Sequence, residues 1–532
     1  MNTAPVVPAV TTSPSASFLL WLLLLVPLLG GIAVAFLRDA KTAKLAALGI
    51  ALLEFVLVIP TWIAYDPAGS RIQLSSSMDW IPNFGVHLAL GVDGISLVMI
   101  ALIGLLMPIV IGSSWADKLP EGRSVGGFYA LLLVMQAGMI GVFAATDVFL
   151  FYVFFEAVLV PMYFLIGRFG GPRRQYAAVK FFLYSLLGGL IMLGSVIGLY
   201  VVSGDKLGSG TLDWATLTTV ISQESQATQT WLFLGFFVAF AIKAPLVPLH
   251  TWLPDAAAEA PVGVGVLLVG ILDKIGTYGF LRYCLPMFPA ASKDLAPLVL
   301  VLGVAGLLYG ALLATGQNDM KRFVAYTSIA HFGFIAVGIF AFSSQSVSGA
   351  VLYMFNHGLS TGMLFLVVGM VIARGGSTLI SDYGGMAKLT PLLGGLFLVA
   401  GLAGLSLPGT NSFVSEFLVL IGAYPSRPVF AILATIGMIL AALYVLWAYQ
   451  RIMHGPVRGD ALLGALKGPG AVAAPETATR QGIKDLDARE IAVLTPLVVL
   501  IIVLGFYPAP ILDVIGPSVE ATLHSVIPLG GN

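Results

Sequence analysis

Two lysines and two glutamates stand in stretches of this sequence that are otherwise almost free of charge. Lys243 closes FLGFFVAFAIK, Lys274 interrupts GVGVLLVGILDKIGTYGFL, Glu156 lies in FYVFFEAVLVP and Glu416 in NSFVSEFLVL. A charge at the centre of a bilayer costs about 2.5–3.5 kcal/mol on insertion scales, so such residues are rare without a role. Removing an amine from water weakens its hold on a proton, and a carboxylate within several ångströms restores it. An acid and a lysine placed together therefore form a pair whose separation releases a proton, and Glu156 with Lys243 is the candidate pair. Snorkelling is the bland alternative for the lysines, but both are placed near the middle of their spans. Glu416, nearer the outer end of its own span, could receive a proton and hand it outward.

The histidines extend this chemistry. His331 and His357 fall inside apolar stretches, and an imidazole titrating near 6.5 can carry protons between lysines, although a neutral ring bonded to a helix carbonyl explains either equally well. His250, in PLVPLHTWLPD, lines an inlet or caps a helix end. His87 and His454 read as loop residues. Glu54 and Asp93 stabilise helix contacts, while Asp147 opens a helix whose N-terminus favours an anion. Asp273 adjoins Lys274, yet sequence neighbours point about 100° apart on a helix and need not pair. The lone Cys284 excludes an internal disulfide framework and a Cys-ligated cluster. With no His pair at ligand spacing, neither metal nor cofactor is expected in this chain.

The elements that position these residues follow from composition. The chain has 532 residues, 58% hydrophobic and 10% charged, with a mean hydropathy of +0.98. That leaves too little polar surface to cover a soluble globule, so lipid is the main solvent. The apolar runs are continuous rather than alternating, which excludes a β-barrel. At roughly 20 residues per crossing they predict an all-α integral membrane protein with about 14 transmembrane helices. The first run follows a Lys- and Arg-free segment and reads as an anchor rather than a cleaved signal peptide. With this count, 19 Lys and Arg residues fall on one side and 5, among them Arg282, on the other. The positive-inside rule then places both termini outside. Zero formal net charge gives no reason to expect nucleic acid.

Two of the expected helices are broken, the seventh by Pro245 and Pro248 and the twelfth by Pro408-Gly409. Proline removes a backbone donor, and freed carbonyls are tolerated in a membrane only where protein or water covers them, so each break is expected to border a hydrated cavity; proline kinks also serve as plain packing devices, but the paired placement favours a pathway. AAVKFFLYSLLGGLIML from Ala177 is similar to GAVLYMFNHGLSTGMLFL from Gly349. A repeat of five helices, an odd number, must invert in the membrane. The expected organisation is three N-terminal helices in residues 1–113, a first five-helix repeat in 114–285, its inverted copy in 286–454, and a cytoplasmic loop and last helix in 455–532.

FFEAVLVPMYFLIGRFGG, KAPLVPLHTWLPDAAAEAPVGVGVLL, DKIGTYGFLR, AYTSIAHFGF, NHGLSTGMLF and NSFVSEFLVL together resemble the antiporter-like membrane subunits of complex I, the proton-pumping NADH:quinone oxidoreductase. The likeness runs from Val92 to Tyr449. PMYFLIG after the acid, the AEAP turn and Glu in the twelfth helix favour the M type. The resemblance implies that Glu156 and Lys243 are a coupled pair, Lys274 and His331 central relays, and Glu416 the outward terminal residue; His250 and His357 are possible further relays by residue type and position. It implies an apolar or basic residue where Asp273 stands. It also implies an inner-membrane subunit with L-type and N-type neighbours, driven by NADH, FMN, iron–sulfur and quinone chemistry housed in other subunits. The alternatives are a subunit of an Mrp-type cation/proton antiporter and a structural membrane scaffold.

Overall fold

The computed structural model describes residues 14–459, 462 and 483–527. Most of the expected cytoplasmic loop after 455, including Lys467 and Arg480, lies outside them. Twelve helices among the described residues are long and apolar enough to cross a membrane. The two other expected crossings are the broken ones. The seventh is Gln226–Lys243 followed, after a non-helical turn, by Trp252–Glu259, and the twelfth is Pro391–Gly404 followed by Asn411–Ala423. An unbroken helix precedes each of them, Arg174–Leu207 in one case and Ser344–Gly375 in the other.

The breaks lie where the prolines demand them. In the first, the indole of Trp252 donates to the Ile242 carbonyl at 2.8 Å, covering a group that a continuous helix would have satisfied. Lys243 therefore ends its half-helix instead of lying within a continuous span. In the second, Ser406 and Gly409 take left-handed backbone, with φ of 59° and 94°. These residues interrupt the helix after Gly404, and a new one starts at Asn411. The expected fifth span also bends, Val148–Ala157 passing into Leu159–Phe169 at Val158. Pro161 lacks the N–H that would bond the Ala157 carbonyl, which fixes the bend there.

Burial sorts the helices into layers. In Val262–Met287 the whole most apolar stretch is buried, and in Met320–Phe340 94% of it, against 28% in Ala40–Ala64 and 33% in Pro428–Met453. The first two form the centre with Ser344–Gly375 and Gly94–Ala116, each 83% buried, while Ala40–Ala64 and Pro428–Met453 lie on the outside. Val262–Met287 contains two π-helical turns, Leu268–Leu272 and Phe280–Cys284. Gly276 on this helix meets the Phe240 carbonyl and the Ala244 backbone so closely that a Cβ would not fit. That contact seats the helix bearing Lys274 directly on the break that follows Lys243.

Three outer features depart from the sequence reading. An antiparallel hairpin, β1 Gln73–Ile81 and β2 Val86–Val92, occupies a stretch expected to be loop. Its turn passes through Gly85 at φ 58°. An amphipathic helix, Ala509–Val526, follows the last span. Arg282, expected in an outer loop, is instead buried in its helix, where its guanidinium pairs with Asp93 at 2.9 Å and lies 3.9 Å from the Trp214 ring centroid. It lies within the second π turn, and an arginine removed from water requires such a partner.

Candidate functional site

Lys243 and Glu156 face a common space without touching. The Lys243 ammonium is buried and makes no hydrogen bond within the protein. It rests 4.9 Å from the centroid of the Phe155 ring and 5.8 Å from that of Phe181, the electron-rich faces of which attract a cation. Phe155 immediately precedes Glu156 in the chain. The Arg174–Leu207 helix forms the wall behind them through two glycines. A Cβ on Gly188 would press on Ala239 and Ile242 of the lysine's helix, and one on Gly189 would collide with the Glu156 carboxylate. The Oε1 atom of Glu156 makes no hydrogen bond in the protein. The expected pair thus faces across a gap with no direct ion pair, and its interaction is Coulombic.

Lys274 is built in the opposite way. Its ammonium donates to Asp273 Oδ1 at 3.0 Å, to His357 Nδ1 at 2.6 Å and to the Val269 carbonyl on the first π turn. An ammonium has three N–H bonds, and all three are used. Adjacent α-helical side chains diverge and Asp273 and Lys274 need not have paired, yet they form an ion pair. The π turn just before them departs from α-helical spacing, and the long lysine folds back over it. The other carboxylate oxygen, Oδ2, accepts from Ser328 at 3.4 Å. Asp273, Lys274 and His357 are all fully buried.

From His357 the polar groups continue. Its ring lies 5.2 Å from that of His331, and His331 Nε2 is 3.3 Å from the Tyr444 hydroxyl. The Tyr353 ring lies tilted 5.7 Å from that of His331, and its hydroxyl donates to Glu416 Oε1 at 2.5 Å. Glu416 lies on the helix that restarts after the second break. The same helix is tied to Ser344–Gly375 by Asn356, which donates to the Asn411 carbonyl and to Ser415 Oγ, both at 2.8 Å. Lys274, His357, His331, Tyr353 and Glu416 therefore form one buried line, with His357 rather than His331 touching the lysine. Lys243 is linked to that line by helix packing alone.

His250 lies apart, in the turn after the first break, its ring 5.2 Å from Tyr309. Beside it is a cluster that the sequence reading missed. Asp255 accepts from Lys180 at 2.7 Å and Arg322 at 2.6 Å, while Tyr184 and Thr251 share a hydrogen bond of 2.8 Å. Tyr353 and Tyr444 were also missed. For Tyr353 a signal existed, since it precedes His357 by four residues and so shares its helix face.

A family described as the transmembrane region of NADH:quinone oxidoreductase and Mrp antiporters matches residues 145–443. NADH-quinone oxidoreductase subunit M of Mycobacterium tuberculosis strain H37Rv is 43% identical over 542 residues, covering 95% of this chain and 94% of its own. Subunit M of Rhodobacter capsulatus is 39% identical over 90% of each chain. A chain of respiratory complex I from Thermus thermophilus with bound NADH superposes with a TM-score of 0.83 at 31% identity, over 96% of this chain and all of the other. A chain of the Mrp complex from Dietzia sp. DQ12-45-1b shares the fold, with a TM-score of 0.80 at 23% identity over 97% and 98% of the two chains. On a family match over more than half its length, and subunit M relatives along nearly all of it, this chain belongs to the NADH:quinone oxidoreductase/Mrp antiporter family of multi-pass membrane proteins.

Proposed function

We propose that the chain is the M-type antiporter-like subunit of a proton-translocating NADH:quinone oxidoreductase, moving protons through Glu156, Lys243, Lys274, His357, His331 and Glu416. The observation that carries this reading is the line of buried ionisable groups from Lys274 to Glu416, in the part of the protein most shielded from lipid. A scaffold gains nothing from groups whose burial costs several kcal/mol each. The M-type relatives are 39–43% identical, against 23% for the Mrp chain, which favours the respiratory reading over the antiporter one.

In this reading the two five-helix halves are inverted repeats and both termini face outward from the inner cell membrane. The L-type and N-type subunits flank the chain. NADH, FMN, iron–sulfur clusters and quinone react in other subunits, and this chain contributes the proton path alone. Moving one charge against 100 mV costs about 2.3 kcal/mol, which redox chemistry must deliver through those neighbours. The deciding experiment is NADH-driven proton uptake by inverted membrane vesicles carrying Glu156→Ala with Lys243→Ala. Loss of pumping in a fully assembled complex is expected. Wild-type pumping by that double variant overturns the proposal.

A further inference from the structure

We propose that Asp273 is the fixed counter-charge of Lys274, so that Asp273, Lys274 and His357 work as a second acid–base centre in which the carboxylate sets when the lysine yields its proton. This rests on the function proposed above and adds a positioning residue to it. The geometry is that of a loaded donor. Asp273 Oδ1 and the Val269 carbonyl bind two N–H bonds of the ammonium, and the third points at His357 Nδ1, 2.6 Å away. A ring nitrogen that accepts this bond carries no proton itself, so His357 is placed to receive one. In the transfer the N–H bond of Lys274 breaks and an N–H bond forms at Nδ1. A neutral amine and an imidazolium result, and Asp273 remains a carboxylate throughout. A proton arriving from the side of Lys243 recharges the amine. Ser328, 3.4 Å from Oδ2, steadies the carboxylate.

The surroundings leave few rivals for this role. His357 and His331 face the centre from the Ser344–Gly375 and Met320–Phe340 helices. From the Gln226–Lys243 helix the one titratable side chain is Lys243, and the Gly94–Ser113 helix carries none. Val125–Ala144 offers Tyr129 alone, and its hydroxyl is engaged with the Ser114 carbonyl at 3.0 Å. Asp273 is thus the sole carboxylate in contact with Lys274 among the described residues.

The test uses the assembled oxidoreductase in inverted vesicles, with protons taken up per quinone reduced measured from acidic to alkaline pH for wild type, Asp273→Asn, Asp273→Glu and Lys274→Ala. Without the counter-charge, Lys274 gives up its proton at lower pH. The alkaline limb of the Asp273→Asn profile should therefore move down by about 1–3 pH units, the span an adjacent opposite charge commands. Asp273→Glu should restore the wild-type limb. An Asp273→Asn profile superimposed on wild type, with Lys274→Ala inactive, overturns this inference and leaves the proposed function standing. Full pumping by assembled Lys274→Ala instead removes this lysine from the function. Should Asp273→Asn not assemble, Asp273→Ser is read the same way, and failure of both uncharged variants to assemble makes the aspartate structural and overturns the inference.

Discussion

Replacing Tyr353 by Phe isolates one hydrogen bond. The substitution deletes the hydroxyl that donates to Glu416 at 2.5 Å and leaves the ring packed against His331 and Phe334, whose centroids lie 5.7 and 6.0 Å away. The second carboxylate oxygen of Glu416 already lacks a partner in the protein. A hydrogen bond to a charged group is worth about 1.5–3 kcal/mol, so the charged form of Glu416 loses roughly ten- to hundredfold in population. Because the fold is untouched, the complex should assemble and reduce quinone, while protons moved per NADH fall well below wild type. Glu416→Gln provides the cycle. If the hydroxyl acts through the carboxylate alone, Tyr353→Phe with Glu416→Gln is no worse than Glu416→Gln. Wild-type pumping by Tyr353→Phe, or full additivity in the double variant, refutes the placing of Glu416 at the end of this line.

Three further outcomes follow from single contacts. His357→Ala removes one of the three acceptors of the Lys274 ammonium and should depress pumping as much as Lys274→Ala does in the same vesicle assay. A mild loss there would return the relay to His331. Asp255→Ala leaves Lys180 and Arg322 facing each other without their shared anion, and the solubilised complex should lose activity faster on heating, whereas Asp255→Glu should largely restore it. Glu54 is fully buried with neither oxygen bonded in the protein, so Glu54→Leu should slow thermal inactivation by removing a cost of about 1–3 kcal/mol. Loss of pumping in Glu54→Leu would show instead that this acid carries protons.

The legible parts of the fold were those governed by hydrophobic length and by proline. Pro245, Pro248 and Pro408-Gly409 marked both breaks, because a missing donor acts locally and needs no partner to be inferred. The hairpin was not legible. Its strands mix Ser, Met and Asp with apolar residues, and pairing between them is a property of two segments at once. Arg282 was misplaced for a similar reason, since only the distant Asp93 makes its burial affordable. At the site, residue types were readable and contacts were not. Asp273 illustrates this, because the α-helical spacing by which it need not pair fails beside a π turn.

The two membrane lysines, alike in sequence, come out as opposites, and the contrast says how a proton could be made to move. Lys274 has every N–H bond satisfied, whereas Lys243 has aromatic faces and a carboxylate held across a gap. A charge with strong fixed partners is a resting place. One with weak contacts responds to small displacements, since Coulomb energy in a poorly solvated site changes steeply with distance. Lys243 also ends a half-helix at a break, so a displacement of the Gln226–Lys243 helix need not bend a continuous one. A push from neighbouring subunits on the Glu156 side would therefore alter the occupancy of Lys243 first. It would reach Lys274 through the close seat of Gly276 on Ala244.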